Sequence, residues 1–525
     1  MAGLLALGFN FLLRLGGLTA YPPESALSAF LAVVPASIEE PMVQQFGDLA
    51  GQLGLIVATV IAAAVYGILA VLFDRFAARK LADLGLGKFE GLLTLGVVPW
   101  LLFGLVLFPL VGDSFFGITS PFASASMVWA YPFVLLLVQA MFAWAFSLSY
   151  TPLTTKPTVV RRQFKPSAVG RREFIEKGVI GILALAAAVV GLSGLGDLFS
   201  SQIAPSGGGQ PIDLQDAPAI FSDPRLSTLV DSEVTPNNDF YRVAIDIIDP
   251  TVDASSWSLQ VNGLVNNPKA YQIQDVQALP KTSQYTTFEC VSNDVNGNLI
   301  SNALWDGVKI ADLLADVGGT QNGAVYVVFY SVDGYSVGIP LSKAMMADSL
   351  LAYNMNGQPL PASHGYPLRA VIPGLYGMMS AKWIKQIAVT GEVYQGYWQT
   401  RGWSNDGTIF TEAFIALPRA GQVSISENGG SIIVAGYAFA GERGISKVEV
   451  SFDNGRTWQE AQLKNPLSNR TWALWAYEWT PPGTGSFEVI ARATDGTGEV
   501  QTSNSTPTFP NGATGYAMIP LQVVD

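Results

Sequence analysis

Four stretches of this chain contain no charged residue: 51–73, 91–112, 114–155 and 178–196. A helix needs ~20 apolar residues to cross a bilayer. The third stretch opens with a Ser/Pro/Gly-rich loop and takes a helical pattern from about 127 to 148. A weaker fifth span, 2–20, is interrupted by Arg14, which can snorkel or pair inside a bundle. Segment 26–36 is too short to cross and reads as interfacial. These runs predict an all-α bundle of about five membrane helices over residues 1–197.

Loop charges orient the bundle, because basic loops stay inside. Arg75, Arg79, Lys80 and Lys88 separate the second and third spans, and seven basic residues from Lys156 to Lys177 precede the last. Loops 21–50 and 113–126 have no Lys or Arg. The N-terminus is then inside and everything after Gly196 outside. Arg171-Arg172 ahead of the last run supports two readings, a twin-arginine export signal or ordinary inside-positive flanking charge.

Residues 1–196 hold 10 acidic and 12 basic residues, and the remainder 31 and 17, within totals of 41 and 29. The outer part is thus acidic, which argues against a nucleic-acid partner. A single cysteine excludes an internal disulfide, a tetrathiolate zinc site and an iron–sulfur cluster. A single histidine, His364, lies far beyond the spans, so the bundle has no bis-histidine haem. No haem is expected. Electrons then pass to quinone or to a separate external carrier.

A Ser/Gly/Pro-rich stretch, 201–211, reads as a flexible linker within 198–228. Beyond it, short alternating segments such as 257–263 predict strands. Ile310, Leu313, Leu314 and Val317 share one face of a short helix predicted over 308–317. Residues 229–416 therefore read as an α+β domain. From 417 to 525 the pattern is purely β, with strands at 431–434, 447–452 and 486–491 between Asn-Gly and Pro-Pro-Gly turns. That spacing suits an immunoglobulin-like β-sandwich.

Cys290 lies where a strand runs into a loop, in Phe288-Glu-Cys-Val-Ser-Asn293. Taken alone it is a buried core thiol, a nucleophile or a metal ligand. Other motifs accompany it in order. They are Thr235-Pro-Asn-Asn-Asp-Phe-Tyr-Arg242, Asn302-Ala-Leu-Trp305, Leu351-Ala-Tyr-Asn-Met355, His364-Gly-Tyr-Pro-Leu-Arg369 and Pro373 through Trp383, which contains Ser380-Ala-Lys382. From about Thr235 to the C-terminus the chain resembles the sulfite oxidase family of molybdenum-cofactor oxidoreductases.

The resemblance implies one molybdenum–pyranopterin (molybdopterin) cofactor with Cys290 as protein ligand. A soft thiolate suits that metal. Arg369, Ser380, Ala381 and Lys382 match positions that hold the pterin's phosphate. His364, Phe240, Tyr241 and Arg242 match further cofactor contacts, and Asp333 an acidic pterin contact. Trp305 lines the substrate pocket or simply packs. The C-terminal domain matches a dimerisation-type domain, which implies a homodimer.

Departures bear on the substrate. Where the family has Ala-Gly-Asn-Arg-Arg after the cysteine, this chain has Val291-Ser-Asn-Asp-Val295, without the arginine pair. Arg242 is displaced relative to the family's Phe-x-Val-Arg, and the active-site tyrosine position falls on Trp403. Cys290, Trp403 and Arg242 are the catalytic candidates. The sequence thus describes a membrane-anchored, outward-facing oxidoreductase of a small molecule, moving two electrons and an oxygen atom. The alternatives are a transporter with a large ectodomain, or a silent interaction module. Retention of Cys290, Arg369 and Lys382 argues against the module.

Overall fold

The computed structural model describes residues 217–245, 249–426 and 429–525, with scattered helical positions between 27 and 138. Apart from those positions, the predicted spans, the arginine pair and most of the linker lie outside the described residues. Among the described residues no helix is long and apolar enough to cross a membrane. Two compact units emerge: Met1–Val34, Gln45–Ile203 and Ile245–Ser256 form one, and Pro35–Gln44, Ala204–Ala244 and Trp257–Asp525 the other. In the first, Asp253 caps a turn by accepting from the Ser255 amide at 2.9 Å.

The second unit begins with α1 (Ser227–Asp231) and continues into β1 (Leu259–Gly263), β2 (Lys269–Tyr271), α2 (Ile273–Gln277), β3 (Lys281–Glu289) and β4 (Ile300–Lys309). Next come α3 (Ile310–Asp316), β5 (Tyr326–Ser331), β6 (Ser336–Pro340), α4 (Leu341–Ala344), β7 (Leu350–Met355), β8 (Gln358–Pro359), β9 (Arg369–Val371) and β10 (Ile384–Thr390). One sheet has the order β2-β1-β10-β5-β6, with β1 and β10 parallel. The other has the order β3-β4-β7-β8, with β9 added against β7.

The second sheet carries the site, and its inner face explains why it holds together. Alternate residues of β3 and β4 point the same way, which brings Phe288, Ala303 and Trp305 into a buried cluster with Leu350, Ala352, Val371 and Phe240. Trp305 is fully buried, stacks on Phe288 at 5.1 Å and donates its indole N–H to the Thr286 carbonyl. Each such large side chain contributes roughly 1.5–3 kcal/mol by burial. Ile310, Leu313 and Leu314 of α3 and Val317 just past its end, the four residues expected on one face, are all buried. The helix itself starts later than expected: Val308 and Lys309 pair with Leu351 and Leu350 as the end of β4.

The C-terminal domain comprises β11 (Glu412–Leu417), β12 (Gly421–Ser424), β13 (Ile432–Phe439), β14 (Ile445–Ser451), β15 (Gln459–Glu460), β16 (Gln462–Leu463), β17 (Ala473–Trp479), β18 (Gly485–Asp495) and β19 (Ala517–Val524). Two sheets, β11-β13-β17-β16 and β12-β19-β18-β14-β15, close on a shared core that includes Val434, Trp475, Val448 and Val489. The sandwich begins earlier than the division expected at 416–417, which cuts through β11. Ala413 and Ile415 of that strand lie in the sandwich core, and Phe414 stacks on Tyr437 at 4.8 Å.

Sandwich and site are joined by hydrogen bonds. The free edge of β3 is covered by loop 468–472. Thr287 N donates to Arg470 O at 3.0 Å, Trp472 N to Thr287 Oγ1 at 3.0 Å, and Ser468 Oγ to Tyr285 O at 3.0 Å. A buried ion pair, Lys464 with Glu233 at 2.9 Å, fastens the α1 region to the same domain.

Candidate functional site

β3 ends at Glu289, so Cys290 sits at the first position where the chain leaves the sheet. Its amide still donates to Leu299 O at 2.9 Å, which keeps the thiol at the ladder's end. The thiol is buried, with Ser292 Oγ 3.1 Å from its sulfur. Buried Asn293 closes the loop: its Nδ2 donates to Glu289 Oε1 at 3.0 Å and its Oδ1 accepts from Leu299 N at 2.9 Å. Gly297 is required here, because a Cβ there would come within 2.4 Å of Asn293 Oδ1.

Around the cysteine the buried titratable groups are carboxyls and phenols. Burial pushes the Glu289 carboxyl up to about 8. Glu412, on β11, is raised well above the carboxylate range by burial and by Glu289. Both are therefore protonated, or share charge, well above ordinary carboxyl pH. Three phenols feel the Cys290 sulfur: Tyr241, Tyr335 and Tyr376. Burial is the first cause holding each well above its usual range. Tyr335 Oη donates to Met378 O at 2.5 Å, and its amide to Asp333 Oδ1 at 3.0 Å, which fixes the buried Asp333 at the turn after β5.

The other end is cationic. Arg369 opens β9 and is buried, its guanidinium lying 4.7 Å over the Phe288 ring and 4.8 Å over Trp305. Its acceptors are backbone carbonyls, His364 O at 3.1 Å and Ala370 O at 3.4 Å, and among the described residues no carboxylate pairs with it. Burial lowers its pKa to about 10. A buried cation without a counter-charge is costly, so the site suits an anion. Lys382 Nζ reaches Ser363 O at 3.1 Å, and Ser380 Oγ accepts from Ile372 N at 3.1 Å. Ala381 O accepts from Ala370 N at 2.8 Å, which places the 380–382 segment beside β9. Gly365, at φ +106°, makes that approach possible: a Cβ would lie 3.0 Å from that of Arg369 and 3.1 Å from that of Lys382.

His364 is held between the ends. Its Nε2 donates to Asn237 O at 2.9 Å, and its ring meets Phe240 edge-on at 5.4 Å. Burial, Arg369 and Lys382, with a smaller push from Arg242, hold its pKa down to about 3, so the ring is neutral. Phe240 in turn stacks on Tyr241 at 5.6 Å. Thus Phe240, Tyr241, Arg242, Cys290, His364, Arg369, Ser380, Ala381 and Lys382 form one connected neighbourhood, and Asp333 joins it through Tyr335. Trp403 stands in another setting. It closes the 398–403 turn onto Trp398 O, and its ring meets Phe509 edge-on at 5.3 Å. Trp305 packs, and its face supports Arg369. Sequence reasoning missed Asn237, Tyr335, Tyr376, Gly377 and Glu412. Asn237, Tyr376 and Gly377 lay inside quoted motifs without being singled out, while Tyr335 and Glu412 are brought in by long-range pairing that no local pattern signals.

Two family models match: the oxidoreductase molybdopterin binding domain over residues 246–398, and the Mo-co oxidoreductase dimerisation domain over 409–509. Sulfite oxidase of Arabidopsis thaliana is 34% identical over 338 residues, covering 54% of this chain and 86% of the relative. The chain belongs to the sulfite oxidase family. Mitochondrial sulfite oxidase of Rattus norvegicus is 30% identical over 331 residues, 54% of this chain and 60% of that protein. Among solved structures, the sulfane dehydrogenase SoxCD of Paracoccus pantotrophus aligns with a TM-score of 0.48 at 22% identity, over 54% of this chain and 80% of that one. Like other sulfite oxidase family members, this protein is a molybdopterin-dependent oxidoreductase, and its dimerisation domain supports a homodimer.

Proposed function

We propose that this protein is a membrane-anchored molybdenum oxidoreductase whose Cys290 thiolate ligates the metal and whose catalytic domain lies outside the cell. The observation that carries the cofactor assignment is Arg369, a buried guanidinium whose protein acceptors among the described residues are backbone carbonyls. It is held over the ring of Phe288, two residues before the buried thiol. Arg369, Ser380, Ala381 and Lys382 would hold the phosphate end. Phe240, Tyr241, Arg242, Asp333 and His364 would line the remainder, with Cys290 at the metal. When bound, the group supplies two-electron redox chemistry and oxygen-atom transfer.

The chain's own residues supply position and polarity. Ser292 Oγ, 3.1 Å from the Cys290 sulfur, donates to it once the thiol is deprotonated. His364 carries its proton on Nε2, fixed by Asn237 O, so Nδ1 is left as an acceptor. Phe288 and Trp305 exclude water beneath Arg369.

The charge-free runs and the basic loops between them support five spans and an external catalytic domain. With one histidine in the chain, haem-free transfer to quinone or an external carrier follows. The substrate we assign is a neutral oxygen donor or acceptor such as a sulfoxide, rather than sulfite. Asp294 and Val295 stand where the family's arginine pair binds the dianion. Losing two charge-assisted bonds costs ~3–6 kcal/mol, or roughly two to four decades in binding. Purified full-length protein should contain molybdenum and pterin at one per chain. It should reduce dimethyl sulfoxide with a reduced viologen and oxidise sulfite poorly with an artificial acceptor. A micromolar KM for sulfite would sink the substrate assignment, and metal-free active protein would sink the cofactor assignment.

A further inference from the structure

Of the three phenols that feel the Cys290 sulfur, one is committed and one is sealed off. Tyr335 Oη is spent on Met378 O. Tyr376 Oη is buried with no hydrogen-bond partner among the described residues, closed in by Gly512, where a Cβ would come within 2.2 Å of it. Tyr241 differs. Its backbone is pinned to β4, its amide donating to Ser301 Oγ at 3.0 Å, and its ring is stacked on buried Phe240. Its hydroxyl lies in a slot left by Gly377: a Cβ there would stand 2.3 Å from Tyr241 Oη and 3.4 Å from Glu289 O, the carbonyl just before Cys290. No protein acceptor among the described residues takes the hydroxyl hydrogen. Cys290, Arg369 and Glu289 are its electrostatic neighbours, and a phenol brings one O–H donor. A protonated phenol with an uncommitted hydrogen is a donor waiting for an oxygen.

We propose that Tyr241 donates a hydrogen bond to the transferable oxygen of the substrate beside Cys290, and that Gly377 is the positioning residue that makes room for its hydroxyl. The assignment rests on the neutral-substrate reading above and deepens it. A neutral donor favours a neutral, strongly polarised oxygen such as that of a sulfoxide, and needs no cation pair. The role is distinct from cofactor holding, the role implied for Tyr241 by its place in the motif.

The slot supplies its own test, because the methyl group of Gly377→Ala and the hydroxyl compete for the same space. With the hydroxyl gone, the nearest tyrosine ring atom is Cζ at 3.6 Å, ordinary contact distance. Holoenzyme carrying Tyr241→Phe, Gly377→Ala or both is compared with the parent. Four properties are read: molybdenum and pterin content, the sulfur-to-metal absorption band on adding dimethyl sulfoxide, and kcat and KM for dimethyl sulfoxide with reduced viologen. Each single variant should lose roughly 10- to 100-fold in kcat/KM. Cofactor content should stay at the parent level, and the sulfoxide-induced absorption change should weaken. The double variant should be no worse than Tyr241→Phe alone. Parent-like kcat/KM in loaded Tyr241→Phe overturns the proposal. So does loss of pterin from that variant, which would make Tyr241 a cofactor holder, and so do single effects that multiply in the double. A fully loaded parent that neither binds nor reduces dimethyl sulfoxide removes the substrate reading itself, which is separable from failure of Tyr241 alone.

Discussion

Next to Cys290 the titratable groups are a carboxyl, Glu289, and three phenols; next to Arg369 they are a buried histidine and a half-buried lysine and arginine. Burial acts on both sets by disfavouring charge. It raises Glu289 to about 8 and lowers His364 to about 3 and Arg369 to about 10. The outcomes differ because of where each pKa starts. At neutral pH the carboxyl and phenols near the cysteine largely keep their protons, whereas Arg369 remains charged. One end is therefore close to neutral and rich in O–H donors, and the other is a cation cage. The anion-binding task belongs to the second end, which supports the neutral-substrate reading proposed above.

Four changes would break or sharpen that contrast. The largest effect is expected from Cys290→Ser, which should bring molybdenum to background in elemental analysis and abolish turnover. A serine variant that keeps its metal would move the reacting end elsewhere. Next is Arg369→Met. Losing two charge-assisted bonds to a phosphate, at ~3–6 kcal/mol, should weaken pterin retention by roughly two to four decades. In the cofactor-free protein the same change should stabilise by ~1–4 kcal/mol, since it replaces an uncompensated buried cation with an apolar chain. Calorimetry of both forms checks the opposite signs.

The third is a pH dependence with two limbs. His364 has a folded pKa below its ordinary 6.5, so its contribution is full above about 6.5 and lost as pH falls toward about 3. Glu289 has a folded pKa above its ordinary 4.5, so its contribution is full below about 4.5 and lost as pH rises through about 8. The Tm of cofactor-free protein should be highest from about pH 4.5 to 6.5, where the two limbs overlap and offset each other. Glu412→Gln, which removes a second buried carboxyl whose pKa is itself raised, should flatten the alkaline limb, and His364→Gln the acid limb. A monotonic Tm profile would contradict both. The smallest effect is expected at Asn296, whose Oδ1 accepts from Ile415 N at 2.7 Å and whose φ is +60°. Asn296→Gly should cost about 1 kcal/mol, and Asn296→Ala about 1–2 kcal/mol more for the left-handed backbone, both read from chemical denaturation.

Much of the site was legible because its residues sit in short motifs. Cys290, His364, Arg369 and Lys382 each lie within a run whose neighbours identify it, and the apolar spacing of Ile310, Leu313 and Leu314 announces α3. The missed elements depend on pairing between distant segments. Residues 412–417 read as a strand in any sheet, and only register against β13 assigns them to the sandwich. The Tyr241–Gly377 slot joins residues far apart in sequence, and a glycine in a loop rich in turns carries no sign of what fills its missing side chain. Trp403 was assigned by alignment across a loop, where spacing drifts most easily, and its ring meets Phe509.

The cover over the free edge of β3 bears on the order of assembly. Loop 468–472 is made long after β3 leaves the ribosome, so the strand leading to the cysteine stays open on one side until nearly the whole chain has been synthesised. An exposed strand edge pairs readily with other chains, and domains generally fold from the N-terminus as they emerge. Chains cut short before residue 468 should therefore be the sticky ones, and the metal should enter only a completed polypeptide.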